Sequence, residues 1–562
     1  MRFQRIELTN YRSWGPGKRV VEFPEQENIL ALVGANNAGK SNLLHAVRLA
    51  LGTGPRGAGE PADFHRLDVT EELRIYLLLR EPLKRENIYH KTDEIIGFFF
   101  RAHRGARGAE KGTIKTENYC LDAAGNTYVP PAALRRASGP PEGVEPARPR
   151  PARASTIAPL LGRVHYLSPN LYRAFDTSGY GVLAQLLDVY REDFRADANT
   201  YELPSGEQVT RARAFERLTA RMGEVLRTPK LAEIERGLSE NLRQVLGPTA
   251  TGAEVTITLP SAEELLAEVL SLQVQDDAAS PALTVDRLGD GYRSLLRLAI
   301  LRTYADLAEQ TRPAVFLVEE PEAYLNPHLR RYFATTLRRL AEQGNDVLIT
   351  THDAAFVSLP EYRTVARVVK SGGTSAAHRC EATLEFSYER LAQKLRRGGN
   401  AEVFFAARAI LCEGQDDVAV VRALLERLSI DPDALNTSVL DCGSRDNLPD
   451  YVRLLDELRV ELLVVTDGDA TKANADERTE KNVRAVADAA RGRMFRFVED
   501  VETALGAEKR PRGQNPAHLV AIVEDIDIQE LGEDHELRLC AAALEAFCRP
   551  PAQPAGPNGE GG

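Results

Sequence analysis

The chain has 562 residues, 43% of them hydrophobic and 27% charged, with a net charge of -11; that length suits about three to four domains of a globular protein. No apolar run is long enough to span a bilayer, and Met1 to Glu7 lack the apolar core of a signal peptide, so a cytoplasmic protein without a membrane segment is expected. The six cysteines form no CxxC pair, which argues against zinc, and the acidic total does not advertise nucleic-acid binding, although local fields decide that more than the total does.

In chain order, residues 28–34 read as a buried strand running into Gly34-Ala35-Asn36-Asn37-Ala38-Gly39-Lys40-Ser41, after which Asn42 to Leu51 follow with helical periodicity. A strand, a G-x4-G-K-S turn and a helix are the context a nucleotide-binding P-loop needs. Its glycines admit backbone N–H groups to the phosphates, and the helix points its positive end at them. Gly34, Asn36, Asn37, Gly39 and Asn42 then line the nucleotide, Lys40 reaches the β- and γ-phosphates, and Ser41 coordinates Mg²⁺. A chance glycine turn would lack the flanking strand and helix.

Residues 73–79 and 95–101 alternate as strands, and residues 139–153 form a proline-rich exposed loop. From 181 to 246 the pattern turns helical, with apolar residues at three- and four-residue steps. This stretch reads as an inserted arm, either a surface elaboration or a dimerisation element. Strands resume at 255–259 and 314–318. The second of these delivers Glu319 to hold Mg²⁺ through water and Glu320 to polarise the attacking water. After a further strand at 347–350, His352 is placed to sense the γ-phosphate.

From Ala409 a new strand–helix alternation begins. One strand ends on Glu413-Gly414, with Asp416-Asp417 opening a helix; a second spans 437–441; a third ends in Asp467-Gly468-Asp469. The ends of parallel strands converge on one edge, where such carboxylates can surround Mg²⁺ or Mn²⁺. Without a cation they would repel one another. Cys412 and Cys442, in apolar runs, read as small buried hydrophobes. The residues after Arg549 form a disordered tail.

The order of P-loop, Glu-Glu strand and histidine resembles the ABC-type ATPases of the chromosome-maintenance and recombination class. Leu288-Gly289-Asp290-Gly291-Tyr292-Arg293-Ser294 is similar to their signature motif, although it departs from the common Leu-Ser-Gly-Gly-Gln form, and Glu319 replaces the usual Asp. The resemblance implies that Gly289 and Gly291 bind ATP held by a second copy, and hence a homodimer. Glu413 and Asp467-x-Asp469 resemble the Toprim fold of topoisomerases, primases and some nucleases.

The two together resemble the OLD (overcoming lysogenization defect) nucleases. That resemblance implies a metal-dependent DNA nuclease with two ions, held by Glu413, Asp417, Asp467 and Asp469, with Asp416 an alternative for Asp417. A later acidic residue is implied as well, Glu502 first and Glu499 second. It also implies a late lysine near the reacting phosphate, for which Lys509 is the candidate. Arg512 could replace it as a phosphate clamp but not as a base.

The fold expected is thus α/β and multidomain, an ABC-type ATPase head with a helical arm followed by a Rossmann-like Toprim sheet. Its expected divisions are 1–180 and 247–395 for the ATPase halves, 181–246 for the arm, 396–548 for the Toprim domain and 549–562 for the tail. A repair or chromosome-organising ATPase with a structural Toprim domain is the alternative, against which the intact carboxylates count. A topoisomerase would need a tyrosine in a separate DNA-binding domain, and a primase would need no ATPase head.

Overall fold

The computed structural model describes residues 2–54, 59–86, 92–105, 113–128, 152–154, 164–168, 190, 193–196, 200–246, 272–275, 281–308, 313–357, 359–384, 400–469, 471, 477–508 and 515–549. The chain divides into two compact units, the first of Met1–Gly162, Glu319–Glu322 and Pro327–Gly562, the second of Arg163–Val318 and Ala323–Asn326.

The first unit contains three sheets. One is antiparallel, in the order Arg19–Glu22, Phe3–Thr9, Leu73–Glu86, Thr92–Arg104, Ile114–Asp122. The helix Lys40–Ala50 packs on it, and Asn118 Nδ2 donates to the carbonyls of Leu49 and Ala50 at 2.8 and 3.0 Å, satisfying the helix end. In the second, Ile29–Val33 pairs in parallel with Asp346–Thr350 on one side and Val365–Ser371 on the other. All residues of the first two strands are buried, as expected for a parallel sheet covered on both faces.

The third sheet is wholly parallel, in the order Thr437–Asp441, Arg408–Cys412, Glu461–Thr466, Met494–Arg496. One apolar core, with Ile410, Leu424, Val465, Leu519 and Leu544, includes residues of the helices Gln415–Arg427, Asn515–Asp525 and Glu536–Cys548. The other joins Leu411, Leu440, Val452 and Leu455 with Val33 and Val365 of the nucleotide-side sheet and with Val357. A continuous core thus ties the two parallel sheets together. Arg367 pins the same junction: its Nη1 donates to the carbonyls of Leu458 and Arg459 at 3.1 and 2.6 Å, and its Nη2 to that of Ala406 at 2.7 Å. All six cysteines are buried, Cys412 and Cys442 among them, as expected.

In the second unit Val315–Glu319 pairs in parallel with Val164–Leu167, and His165 stacks on Phe316 at 4.5 Å. The arm is not purely helical. A hairpin, Thr200–Glu202 with Gln208–Thr210, precedes the helices Arg211–Leu226 and Pro229–Leu246. Two three-residue strands are too short to leave an alternating pattern that stands out from helical sequence. Thr210 Oγ1 caps the first helix by accepting from the Arg213 N–H. Along these helices Leu218, Met222, Val225, Leu226, Ile234 and Leu238 are exposed, by 45–80%.

The strand expected at 255–259, the loop at 139–151 and the tail from 550 lie outside the described residues. Among the described residues no helix is long and apolar enough to cross a membrane.

Candidate active sites

The P-loop lies in the first unit, between the strand Ile29–Val33 and the helix Lys40–Ala50. Gly34 has φ +131°, and a Cβ there would meet the Val368 carbonyl oxygen at 2.3 Å, so only glycine lets the loop leave the sheet this closely. Around the loop, Trp14 Nε1 donates to the Gly39 carbonyl at 3.2 Å and Ser375 Oγ to that of Ala38 at 2.6 Å. Asn42 bridges Arg12, whose Nη1 donates to its Oδ1, and Ser13, to whose Oγ its Nδ2 donates, both at 3.0 Å.

Lys40 is buried, and its Nζ donates to the carbonyls of Gly34 and Ala35 at 2.9 and 2.8 Å. Burial lowers its pKa to about 8, against the opposing pull of Glu320 and Glu322. Glu320 of the Glu-Glu turn and Glu322 just after it therefore act on the P-loop lysine. Glu319 is buried and acts instead on His45 of the following helix. Glu320 has φ +45°, and its N–H donates to the Thr350 carbonyl at 2.9 Å. This left-handed turn separates the two neighbouring carboxylates.

Glu322, given no role from sequence, holds the loop of Thr351 and His352. The His352 N–H donates to its Oε1 at 2.6 Å and Thr351 Oγ1 to its Oε2 at 2.9 Å. Burial lowers the His352 pKa, and the Lys40 charge lowers it further. His352, Lys40 and Glu320 thus belong to one electrostatic neighbourhood.

Gly289 and Gly291 lie in the second unit, at the start of the helix Asp290–Ala308. There the buried Arg293 donates from Nε to the Val285 carbonyl at 3.1 Å and from Nη1 to Asp290 at 3.0 Å. A Cβ on Gly289 would meet nothing within 4 Å, and on Gly291 only the Tyr324 carbonyl oxygen at 3.9 Å.

The second site lies at the carboxyl edge of the four-stranded parallel sheet. Glu413 follows the strand Arg408–Cys412, and Asp467-Gly468-Asp469 follows Glu461–Thr466. The register places these two strand ends side by side, Cys412 opposite Val465. Gly468 is required here too. A Cβ would meet the carbonyl oxygens of Phe497 and Val498 at 2.2 and 2.4 Å, because the N–H groups of Gly468 and Asp469 both donate to the Glu499 carbonyl. Asp469 adopts φ +48°, a conformation Asp tolerates better than most residues.

The carboxylates lie along this edge and are held by partners the sequence did not disclose. Arg445, in the turn after the strand Thr437–Asp441, donates from Nε to Glu413 Oε2 at 3.1 Å; its Nη2 lies 3.0 Å from the same oxygen and 2.9 Å from Asp469 Oδ2. Thr466 Oγ1 also donates to Glu413 Oε2, at 3.1 Å. Asp467 Oδ1 accepts from the Val501 N–H at 3.2 Å. Asn515 Nδ2 bridges Asp416 Oδ2 at 3.2 Å and Glu502 Oε1 at 3.0 Å.

Asp417 is 4% exposed; its Oδ2 accepts from the Gly414 N–H at 2.9 Å, and its Oδ1 has no hydrogen-bond partner. Burial, with Glu413, Glu502 and Asp416 nearby, raises its pKa to about 7. Asp467 is pushed up to about 9 by burial and by Asp417, Glu413, Asp500 and Glu502. Glu502 thus acts on both Asp417 and Asp467. Glu499 instead accepts from the N–H and Oγ1 of Thr471. Lys509 and Arg512 lie outside the described residues.

As the side chains stand, no group of three or more His, Cys, Asp or Glu among the described residues is gathered to hold an ion. The donor set nevertheless fits a hard divalent cation. It is all oxygen, and it contains an orphaned, buried carboxylate oxygen on Asp417 and a second carboxylate whose ionisation burial opposes.

The comparisons with known proteins agree with this geometry. A family model described as "AAA domain, putative AbiEii toxin, Type IV TA system" matches residues 29–358. One described as "Overcoming lysogenization defect protein-like, TOPRIM domain" matches residues 404–469. The chain is 26% identical over 549 residues to the OLD nuclease of Thermus scotoductus, covering 93% of this chain and 95% of that protein. It is 21% identical over 214 residues to the Old nuclease of Escherichia phage P2, 36% of each. Among solved structures, an SMC head bound to the C-winged helix domain of ScpA is similar at 14% identity over 67% of this chain and 97% of that one. Its TM-score of 0.35 is too low to support an argument. With that AAA model matching more than half its length, the chain belongs to the AAA-domain family, and the OLD-like TOPRIM match after it makes it similar to the OLD nucleases along nearly its whole length.

Proposed function

We propose that the protein is an ATP-hydrolysing DNA nuclease in which a divalent-metal centre, built on Glu413, Asp417, Asp467, Asp469 and Glu502, cuts phosphodiester bonds. The observation that carries this reading is the buried Asp417, with an orphaned carboxylate oxygen, beside the half-buried Asp467 at the carboxyl edge of a parallel sheet. A buried carboxylate with an unpaired oxygen, next to a second carboxylate, is costly to keep in a purely structural site.

Bound Mg²⁺ or Mn²⁺ would activate water and neutralise the leaving oxygen. The chain's own part is to orient oxygens toward those ions. Thr466 and Arg445 hold Glu413, the Val501 N–H holds Asp467, and Asn515 holds Glu502 beside Asp416. In the expected mechanism Lys509 would face the scissile phosphate.

At the nucleotide site, Lys40 with the loop of Gly34, Asn36, Asn37 and Gly39 would bind the ATP phosphates, and Ser41 and Glu319 the Mg²⁺. Glu320 would orient the attacking water, with His352 at the γ-phosphate. Gly289 and Gly291 meet no close neighbour that requires glycine. That openness supports their approach by the nucleotide of a second copy. The exposed apolar residues of the arm, from Leu218 to Leu238, support a homodimer joined there.

Plasmid DNA with Mg²⁺ or Mn²⁺ tests the nuclease directly. Wild-type protein should nick it, EDTA should stop nicking, and Asp469→Ala, purified identically, should be inactive. Equal nicking by both proteins would trace the activity to a contaminant and leave the TOPRIM domain a structural role. Lys40→Ala should abolish ATP hydrolysis, and light scattering should show a dimer with or without nucleotide.

A further inference from the structure

Arg445 joins the carboxylate cluster without having been part of any metal-ligand pattern. It opens the short turn Arg445–Asn447, whose N-cap is Ser444, with Ser444 Oγ accepting from the Asp446 N–H at 3.2 Å. The turn follows one edge strand of the sheet, and Glu502 follows the strand at the other edge. The Arg445 side chain is 9% exposed. Its Nε makes one aligned hydrogen bond, to Glu413 Oε2. Its Nη2 sits 3.0 Å from Glu413 Oε2 and 2.9 Å from Asp469 Oδ2, yet makes no aligned hydrogen bond to either. A guanidinium built to lock carboxylates in place uses its parallel N–H fork on two oxygens. This one instead divides a single nitrogen between two carboxylates as a double ion pair.

The two oxygens it touches belong to Glu413 and Asp469, both expected metal ligands. A carboxylate oxygen engaged by a guanidinium at this distance has less electron density to offer an ion. A divalent cation bound to the same oxygens would also stand within a few ångströms of a fixed positive charge and be repelled by it. Removing the guanidinium in the absence of metal would leave Glu413 and Asp469 beside Asp417 and Asp467 with a positive charge lost.

We propose that Arg445 is a built-in counter-ion of the cage. It occupies Glu413 and Asp469 when metal is absent, competes with the divalent cation for them, and swings away when the cation enters. This rests on reading the cluster as a metal centre and adds what sets its affinity. The opposite role, in which Arg445 orients Glu413 for the ion, makes the contrary prediction about binding.

The experiment is calorimetric titration of Mn²⁺ into nucleotide-free, full-length wild type and Arg445→Gln at one pH, with thermal melts of each protein with and without the ion. Arg445→Gln should bind Mn²⁺ at least tenfold more tightly. It should melt lower than wild type when metal-free and gain more from Mn²⁺. Equal or weaker binding by the variant, with Mn²⁺ binding to wild type intact, overturns the counter-ion role alone. No Mn²⁺ binding to either protein overturns the metal-centre reading and this proposal with it. If Arg445→Gln does not fold, a crystal structure of wild type with Mn²⁺ decides. The guanidinium should have left both carboxylates; ions bound with both ion pairs intact would refute the competition.

Discussion

Replacing Arg367 tests the junction between the nucleotide-side sheet and the TOPRIM sheet. Arg367 stands opposite Val33, the last residue of the strand before the P-loop, and is 7% exposed. Its three hydrogen bonds reach the carbonyls of Leu458 and Arg459, just past the C-terminal end of the helix Leu448–Glu457, and that of Ala406. The first two acceptors lie at the negative pole of that helix, which favours a cation.

Each charge-assisted bond is worth about 1.5–3 kcal/mol, but releasing a buried guanidinium from its desolvation cost offsets part of the loss. The net for Arg367→Ala should be about 3–5 kcal/mol, the range for breaking a buried charged network. Arg367→Lys, with a shorter reach and no fork, should recover only part.

The chain has one tryptophan, Trp14, which is buried and donates to the Gly39 carbonyl. Its fluorescence therefore reports the P-loop side, while far-UV circular dichroism reports the whole fold. In denaturant the wild type should give coincident transitions by both probes. In Arg367→Ala the midpoint should fall and the two curves should separate. A loss under about 1 kcal/mol with the curves still coincident would show that the apolar core alone holds the junction.

Three further outcomes are expected. Glu322→Gln leaves one oxygen to accept where Glu322 uses two, for Thr351 and the His352 N–H; steady-state ATP hydrolysis should show kcat lowered about tenfold, or about 1.4 kcal/mol, with KM little changed, and an unchanged kcat would remove its positioning role. Asp467 and Asp417 have pKa values raised to about 9 and about 7 in the folded, metal-free protein, so their contribution to stability is present below the unfolded carboxylate range and lost as pH rises through 7 and 9. Metal-free protein should therefore melt lower at pH 9 than at pH 6, and Mn²⁺ affinity should rise about tenfold per pH unit from 7 to 9, with one proton released per binding event by calorimetry in two buffers. A flat affinity across that range would contradict the assignment. Gly468→Ala drives a Cβ into two carbonyl oxygens, so the loop must shift; a loss of about 2–3 kcal/mol in denaturant and loss of nicking are expected, and wild-type stability would show that the DGD loop is looser than its geometry implies.

Several parts of both sites were legible in the sequence because each occupies one unbroken stretch. The P-loop, the Glu319-Glu320 turn and the Asp467-Gly468-Asp469 loop each follow an apolar strand directly. Local pattern therefore fixed both the element and the edge at which its polar residues emerge. The tertiary structure decided what holds these residues in place. Arg445 reaches Glu413 across 32 positions, Asn515 reaches Asp416 across 99, and Arg367 reaches the Leu458 carbonyl across 91. The short hairpin before the arm helices belongs with these, since three-residue strands carry too little periodicity to show. A strand or phosphate loop is encoded in the chemistry of its own neighbours. A buried arginine's partners are backbone carbonyls and distant carboxylates, which leave no mark around the arginine itself; only folding brings the acceptors to it.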